Sequence, residues 1–292
     1  VLAEAAVTEF AASHGRVPES ELLILGLGRL GGGVLTHASD LDLVYLFSGS
    51  YEAVSDGPRP LRATDYYNRL APRVTAALSV PTAAGPLYEV DTRLRPSGKD
   101  GLLAVSADTF CAYQATQAWT FEHMALTRAR PVFGSETERA DLALRIGELL
   151  RQSRDAGGVR ADAARMRAEI AAHKPPRGAL DVKLLPGGLV DLEFAVQVLQ
   201  LTTGTGLTPD FDAAIAALAQ AGAVPPSIVE AQRLLTRLLV VLRLVAPDGG
   251  EPPAPTRPLV AQACGAPDWE ALLADIDRVR TAVAALWAEV QA

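Results

Sequence analysis

The chain has 292 residues, with 27 Lys and Arg against 34 Asp and Glu and a formal net charge of −7. That balance argues against a duplex nucleic-acid binder, whose affinity comes from a basic face that neutralises phosphates. Cys111 and Cys264 stand far apart with no C-x-x-C spacing, which points away from a disulfide framework or a cysteine zinc site and towards a reducing cytoplasm. No apolar run has the length of a membrane span, and "VLAEAAVTEF" is acidic where a secretory signal would be basic. The opening Val lies in mid-helix, as in a piece of a longer protein, and the length suits two modest domains.

In chain order, residues 1 to 14 form a helix ended by Gly15, and residues 21 to 25 a short buried strand that runs into "GLGRLGGG". "DLDLVYLF" (40–47) is a second strand, apolar on both faces. A Gly/Pro/Ser-rich loop leads to a helix over residues 61 to 78, and "GPLYEVD" (85–91) reads as a third strand. From Ser106 onward the pattern is helix after helix, broken at Gly157-Gly158, Pro175-Pro176, Gly187-Gly188, Pro225-Pro226 and the loop over residues 247–255. Glu122, Arg128 and Arg130 fall on one of these helices. The expected architecture is α+β: residues 1–135 with a small mixed sheet, then an all-α bundle over residues 136–292.

Gly26-Leu27-Gly28-Arg29-Leu30-Gly31 matches the dinucleotide fingerprint literally. A dinucleotide unit needs a full helix after the glycines and an acid about 20 residues on, at the end of the next strand. Here only Gly32 to Ser39 intervene, and the acids Asp40 and Asp42 open the strand, so the redox reading fails. Residues two apart on a strand share a face, which sets Asp40 and Asp42 side by side. Like charges beside a buried strand are costly without a cation between them, and Mg²⁺ suits a site built from carboxylates and substrate phosphates. Asp91 supplies a third ligand if its strand pairs beside the second. Three carboxylates and a glycine turn facing phosphates are the equipment of in-line nucleotidyl transfer.

"GLGRLGGGVLTHASDLDLVYLF" resembles the glycine turn and Asp-x-Asp strand of the DNA polymerase β-type nucleotidyltransferases, in the version found in the glutamine synthetase adenylyltransferase/deadenylylase family. The resemblance continues through "YEVDTRLRPSGKDGLL", "AYQATQAWTFEHMALTRARPVFG" and "DVKLLPGGLVDLEFAVQVLQL", covering most of residues 20 to 202. It implies a polymerase β-like domain followed by a helical bundle, with ATP as substrate, Mg²⁺ as cofactor and glutamine synthetase as protein partner. A nitrogen-signalling regulatory protein is a further implied partner. "YEVDTRLRPSG" and "TFEHMALTRARPVFG" look more like the copy that attaches AMP to a tyrosine than the one that removes it by phosphorolysis. The removing activity and a non-catalytic regulatory module are the alternatives. Arg29 stands where the family usually has Lys, and Leu184-Leu185-Pro186 where it has a polar or basic segment.

The site expected from these readings has Asp40, Asp42 and Asp91 as catalytic metal ligands. Asp91 also has the alternative of simply ending its strand, and Glu89 on the same face is its rival. Gly31 and Gly32 match the superfamily's phosphate-side pair, with Ser39 a donor to a terminal phosphate, while Gly26 and Gly28 serve turn geometry. Arg93 and Arg95 share a face if the strand continues, and then meet triphosphate or pyrophosphate; solvated surface arginines are the alternative. Asp191 reads as a helix cap and Glu193 as a weaker functional candidate.

Overall fold

A computed structural model describes every residue except Ala38, Ala84, Asp248 and Gly249. Two compact units appear, residues 1–152 with 209–211, and residues 153–208 with 212–292. The expected loop over residues 247–255 includes two positions, 248 and 249, that lie outside the described residues.

The first unit is built on a mixed sheet. Helix α1 (Leu2–His14) ends at Gly15, whose φ of 70° suits a residue without a Cβ. Strand β1 (Leu22–Gly26) then runs antiparallel to β2 (Leu41–Phe47), with Leu22 opposite Phe47 and Gly26 opposite Leu43. Between them lies a single helical turn, α2 (Gly28–Gly31). Helix α3 (Ala63–Ser79) and α1 cover one face of the sheet, burying Tyr45, Phe47, Leu70 and Val74 in a common core. The Phe47 and Tyr67 rings stack with centroids 4.7 Å apart. Burial pushes the Tyr67 phenol well above its ordinary range, against the opposing pull of its hydrogen bond with Ser20.

The second edge of β2 is shared, and here the expected third strand is corrected. Gly85 and Pro86 form β4 (Gly85–Pro86), which pairs with β3 (Pro81–Thr82) in a separate two-stranded ribbon. Only β5 (Val90–Asp91) reaches β2, parallel to its first residues. The rest of that edge is taken by β6 (Ala104–Ser106), also parallel, opposite Tyr45 to Phe47. Asn68 on α3 fixes β6 by donating to the Ala104 carbonyl at 2.7 Å and accepting its N–H at 3.0 Å.

The stretch after Ser106 is not all helical, which is a second correction. Helix α4 (Ala107–Thr116) leads to α5 (Thr120–Leu126), which ends before Arg128. Arg130 opens β7 (Arg130–Phe133), antiparallel to β1 across a register shift. Glu122, Arg128 and Arg130 therefore do not share a helix. Helix α6 (Glu136–Leu150) packs on α4 and β7, so the sheet unit runs past residue 135.

The second unit is all helical: α7 (Ala156–His173), α8 (Leu189–Thr203), α9 (Phe211–Gln220), α10 (Ser227–Val245), α11 (Arg257–Cys264) and α12 (Trp269–Gln291). Helix α8 packs against both α7 and α12, and α12 against α10. Asp155 caps α7 by accepting the Gly157 and Gly158 N–H groups, and Asp268 caps α12 by accepting the Ala271 N–H. Among the described residues no helix is long and apolar enough to cross a membrane.

Asp191, expected as a helix cap, makes no cap bond to α8, whose N-cap is Gly188. Its carboxylate accepts the Gly187 N–H at 2.6 Å and pairs with Nε of Arg167 on α7, both side chains nearly enclosed at 5% and 10% exposure. Removing one member of a buried pair strands the other charge. Asp191→Ala is expected to lower unfolding free energy by about 3–5 kcal/mol in denaturant titration, whereas Arg167→Met with Asp191→Leu recovers most of it.

Candidate active site

The first residues of β2 position the acidic group. Leu41 donates to the Glu89 carbonyl at 2.8 Å, and the parallel register sets Asp42 directly opposite Asp91. The two strands therefore bring Asp91 opposite Asp42, the second member of the Asp-x-Asp pair. Asp40 stands exposed just ahead of β2, while Asp42 is half-buried.

Asp42 depends on the glycine turn. Its backbone carbonyl accepts the Leu27 N–H at 2.9 Å. Its carboxylate lies over the α-carbon of Gly28, so closely that a methyl group there would stand 2.0 Å from Oδ2. Gly28 also has a φ of 53°, so both conformation and space require glycine. Gly31 is constrained differently, since a Cβ would meet the Arg128 carbonyl oxygen at 1.8 Å. The N–H groups of Gly31 and Gly32 close the turn, donating to Leu27 and Gly28 carbonyls at 2.9 and 3.0 Å. From β7, Arg130 donates to the carbonyls of Gly31 (3.1 Å) and Leu30 (2.7 Å), which clamps the end of the turn to the sheet.

Ser39 is buried and forms a local turn, its hydroxyl bonding the Thr36 hydroxyl at 2.7 Å and accepting the Thr36 N–H at 3.1 Å. It holds the approach to Asp40.

A cleft of about 420 Å³ lies at the end of β5, lined by Asp40, Glu89, Asp91, Arg93, Arg95 and Lys99. Arg93 forks onto Asp91, Nε donating at 2.9 and 2.8 Å and Nη2 pairing with Oδ2, while its backbone N–H donates to Oδ1 at 2.9 Å. The Arg93 guanidinium is thereby held protonated still more firmly, chiefly by this bond, with the charges of Asp42 and Asp40 adding in the same direction. Among the described residues no three acidic, histidine or cysteine side chains come close enough together to hold a metal ion.

The chain turns sharply after Asp91, so Arg93 and Arg95 do not continue a strand face. Arg95 folds back on its own loop, donating to the carbonyls of Thr92 (2.8 Å), Lys99 (3.1 Å) and Gly101 (3.3 Å). Sequence reasoning missed Lys99, which faces the same cleft; the signal was its place in a Ser97-Gly98-Lys99 turn just beyond two arginines. Glu122 and His123 are structural: Glu122 accepts the Trp119 N–H at 2.9 Å, and the His123 ring bonds the Gln114 carbonyl at 2.8 Å. Glu193 lies in the helical unit, in a different cavity.

Residues 1–145 match the family model described as glutamate-ammonia ligase adenylyltransferase, and residues 161–291 match that described as GlnD PII-uridylyltransferase. A bifunctional glutamine synthetase adenylyltransferase/adenylyl-removing enzyme from Brucella suis biovar 1 is 42% identical over 277 residues, 91% of this chain and 28% of the relative. Proteins with the same name from Rhizobium meliloti and Mesorhizobium japonicum are 41% identical over 96% of this chain and 46% identical over 70% of it. They are much longer, the chain covering 30% and 21% of their respective lengths.

The Gly28–Asp42 contact gives a direct check. Gly28→Ala is expected to cost at least about 1–2 kcal/mol from the left-handed backbone alone, and to displace the Asp42 carboxylate. Thermal unfolding reads the first effect and a crystal structure of the variant the second.

Proposed function

Because the chain belongs, through residues 1–145, to the glutamate-ammonia ligase adenylyltransferase family, we propose that it transfers AMP from ATP to a tyrosine hydroxyl of glutamine synthetase and releases pyrophosphate. The observation that carries the reading is the register that sets Asp91 opposite Asp42, one step from Asp40. The hard oxygen donors of these three aspartates are the chemistry Mg²⁺ prefers, and they are its proposed ligands once Arg93 gives up Asp91. Bound there, Mg²⁺ supplies charge neutralisation along the triphosphate and at the departing pyrophosphate.

The chain's own groups have distinct work in this scheme. Arg93, released from Asp91, moves its charge onto phosphate oxygens, and Lys99 adds a second cation on the same cleft. Arg95 positions the loop that carries both. Gly31, Gly32 and Ser39 set the wall against which the phosphates lie. The carboxylate of Asp91, relieved of its ion pair, accepts the proton of the attacking hydroxyl in this scheme. A free phenol loses its proton near pH 10, so at neutral pH attack needs such a base or a neighbouring positive charge.

The name of the relatives includes an adenylyl-removing activity, which favours phosphorolysis of AMP-tyrosine to ADP as the second reading. Radiolabelled ATP with Mg²⁺ and unmodified glutamine synthetase separates the two. The proposal expects label on the synthetase without added phosphate, reduced at least a hundredfold by Asp40→Asn with Asp42→Asn. Label transfer that survives both substitutions contradicts it, and release of ADP only from modified synthetase plus phosphate supports the second reading.

A further inference from the structure

The helical unit contains a larger cavity than the cleft beside β5, about 940 Å³, within the range of organic-ligand sites. It is enclosed by the end of α7, the loop over residues 174–188, α8 and the last turns of α10. Its floor is apolar, formed by Leu180, Val182, Val190, Phe194 and Leu242. Its rim is basic, with Lys174, Arg177, Lys183 and Arg243 facing the acids Asp181 and Glu193.

The charge at this rim runs against the rest of the chain. With a formal net charge of −7 the protein carries an excess of acid overall, yet among the described residues that line this cavity four Lys and Arg side chains stand against two acids. The chain has only three lysines, Lys99, Lys174 and Lys183. One lines the cleft proposed for the nucleotide and the other two line this cavity. Lys174 and Arg177 are exposed and form no ion pair with the described residues.

One of the two acids is already committed. The Asp181 carboxylate accepts the backbone N–H groups of Arg177 (3.1 Å), Lys183 (3.3 Å) and Leu184 (3.1 Å), so it organises the loop while its charge offsets one of the four rim cations. The same loop is held from beneath by Arg167, which donates to the Leu184 carbonyl at 3.1 Å while paired with Asp191. The rim is thus carried on a loop whose backbone is fixed at both of these points, which lowers the ordering cost of binding.

We propose that this cavity is a second ligand site, separate from the transfer site, and that it takes a small organic anion with an apolar body: the body on the Leu–Val–Phe floor, the anionic head between Lys174 and Arg177. The apolar floor disfavours a bare inorganic ion, and the cationic rim favours an anion over a neutral hydrophobe of the same shape. The inference does not rest on the AMP-transfer reading.

The test uses the full chain and two dyes of one shape, 1-anilinonaphthalene-8-sulfonate, which is anionic, and N-phenyl-1-naphthylamine, which is neutral. Fluorescence titration is expected to give saturable binding of one sulfonate dye per chain, at least tenfold tighter than the neutral dye. Lys174→Glu with Arg177→Glu, both exposed positions, is expected to weaken the anionic dye at least tenfold and leave the neutral dye within about twofold. Asp40→Asn with Asp42→Asn is expected to change neither, which separates this site from the other cleft. Equal binding of the two dyes, indifference to the rim substitutions, or loss of binding in the aspartate variant overturns the proposal.

Discussion

The carboxylate of Asp42 occupies the space where residue 28 would carry a side chain, and much of the sheet unit follows from that contact. Gly28 must be glycine for its positive φ and for the 2.0 Å approach that any methyl would block. The turn that follows must then close within a few residues, which it does through α2 and the Arg130 clamp from β7. Strand β2 is held by β1 on one side and by β5 and β6 on the other, so the acid at its start cannot shift without disturbing three pairings. A glycine turn and a dense sheet together fix one carboxylate, and the register brings the second opposite it.

Two Arg–Asp pairs in this chain illustrate how burial decides the role of an ion pair. The Arg93 side chain is 66% exposed and that of Asp91 20%, so this pair is open to water on the arginine side, where a phosphate or a cation can compete for it. Arg167 and Asp191 are enclosed, where desolvation makes a broken pair expensive, and their geometry serves the helical unit as a permanent joint. Chemistry that exchanges partners at every turnover belongs with the first kind. Construction belongs with the second.

The parts of the fold legible in the sequence were those with long, uninterrupted signals. The first helix, β1, β2 and α3 follow from periodicity and from Gly15, and the Asp-x-Asp pair follows from the two-residue repeat of a strand. Apolar residues over 85–91 resembled one strand, yet Gly85 and Pro86 pair locally and only Val90 and Asp91 find β2, because β6 occupies the remaining edge. That competition is tertiary and leaves no local trace. Strand β7 was hidden by Pro131, which cannot donate to a ladder and sits opposite Leu25 at a register shift on the edge of the sheet. At the site, the neighbouring of Asp42 and Asp91 was legible, whereas the folding back of Arg95 and the arrival of Lys99 depend on a turn whose path no spacing rule describes.

We propose that Asp40, Asp42 and Asp91 together accept a metal–nucleotide, with Arg93 yielding Asp91 when they do. Calorimetric titration of the chain with ATP, in the presence and absence of Mg²⁺, tests it most directly, with Asp91→Asn as the comparison. Binding is expected to require Mg²⁺ and to fall at least tenfold in the variant. ATP binding of equal strength without Mg²⁺, or unchanged by Asp91→Asn, would contradict it.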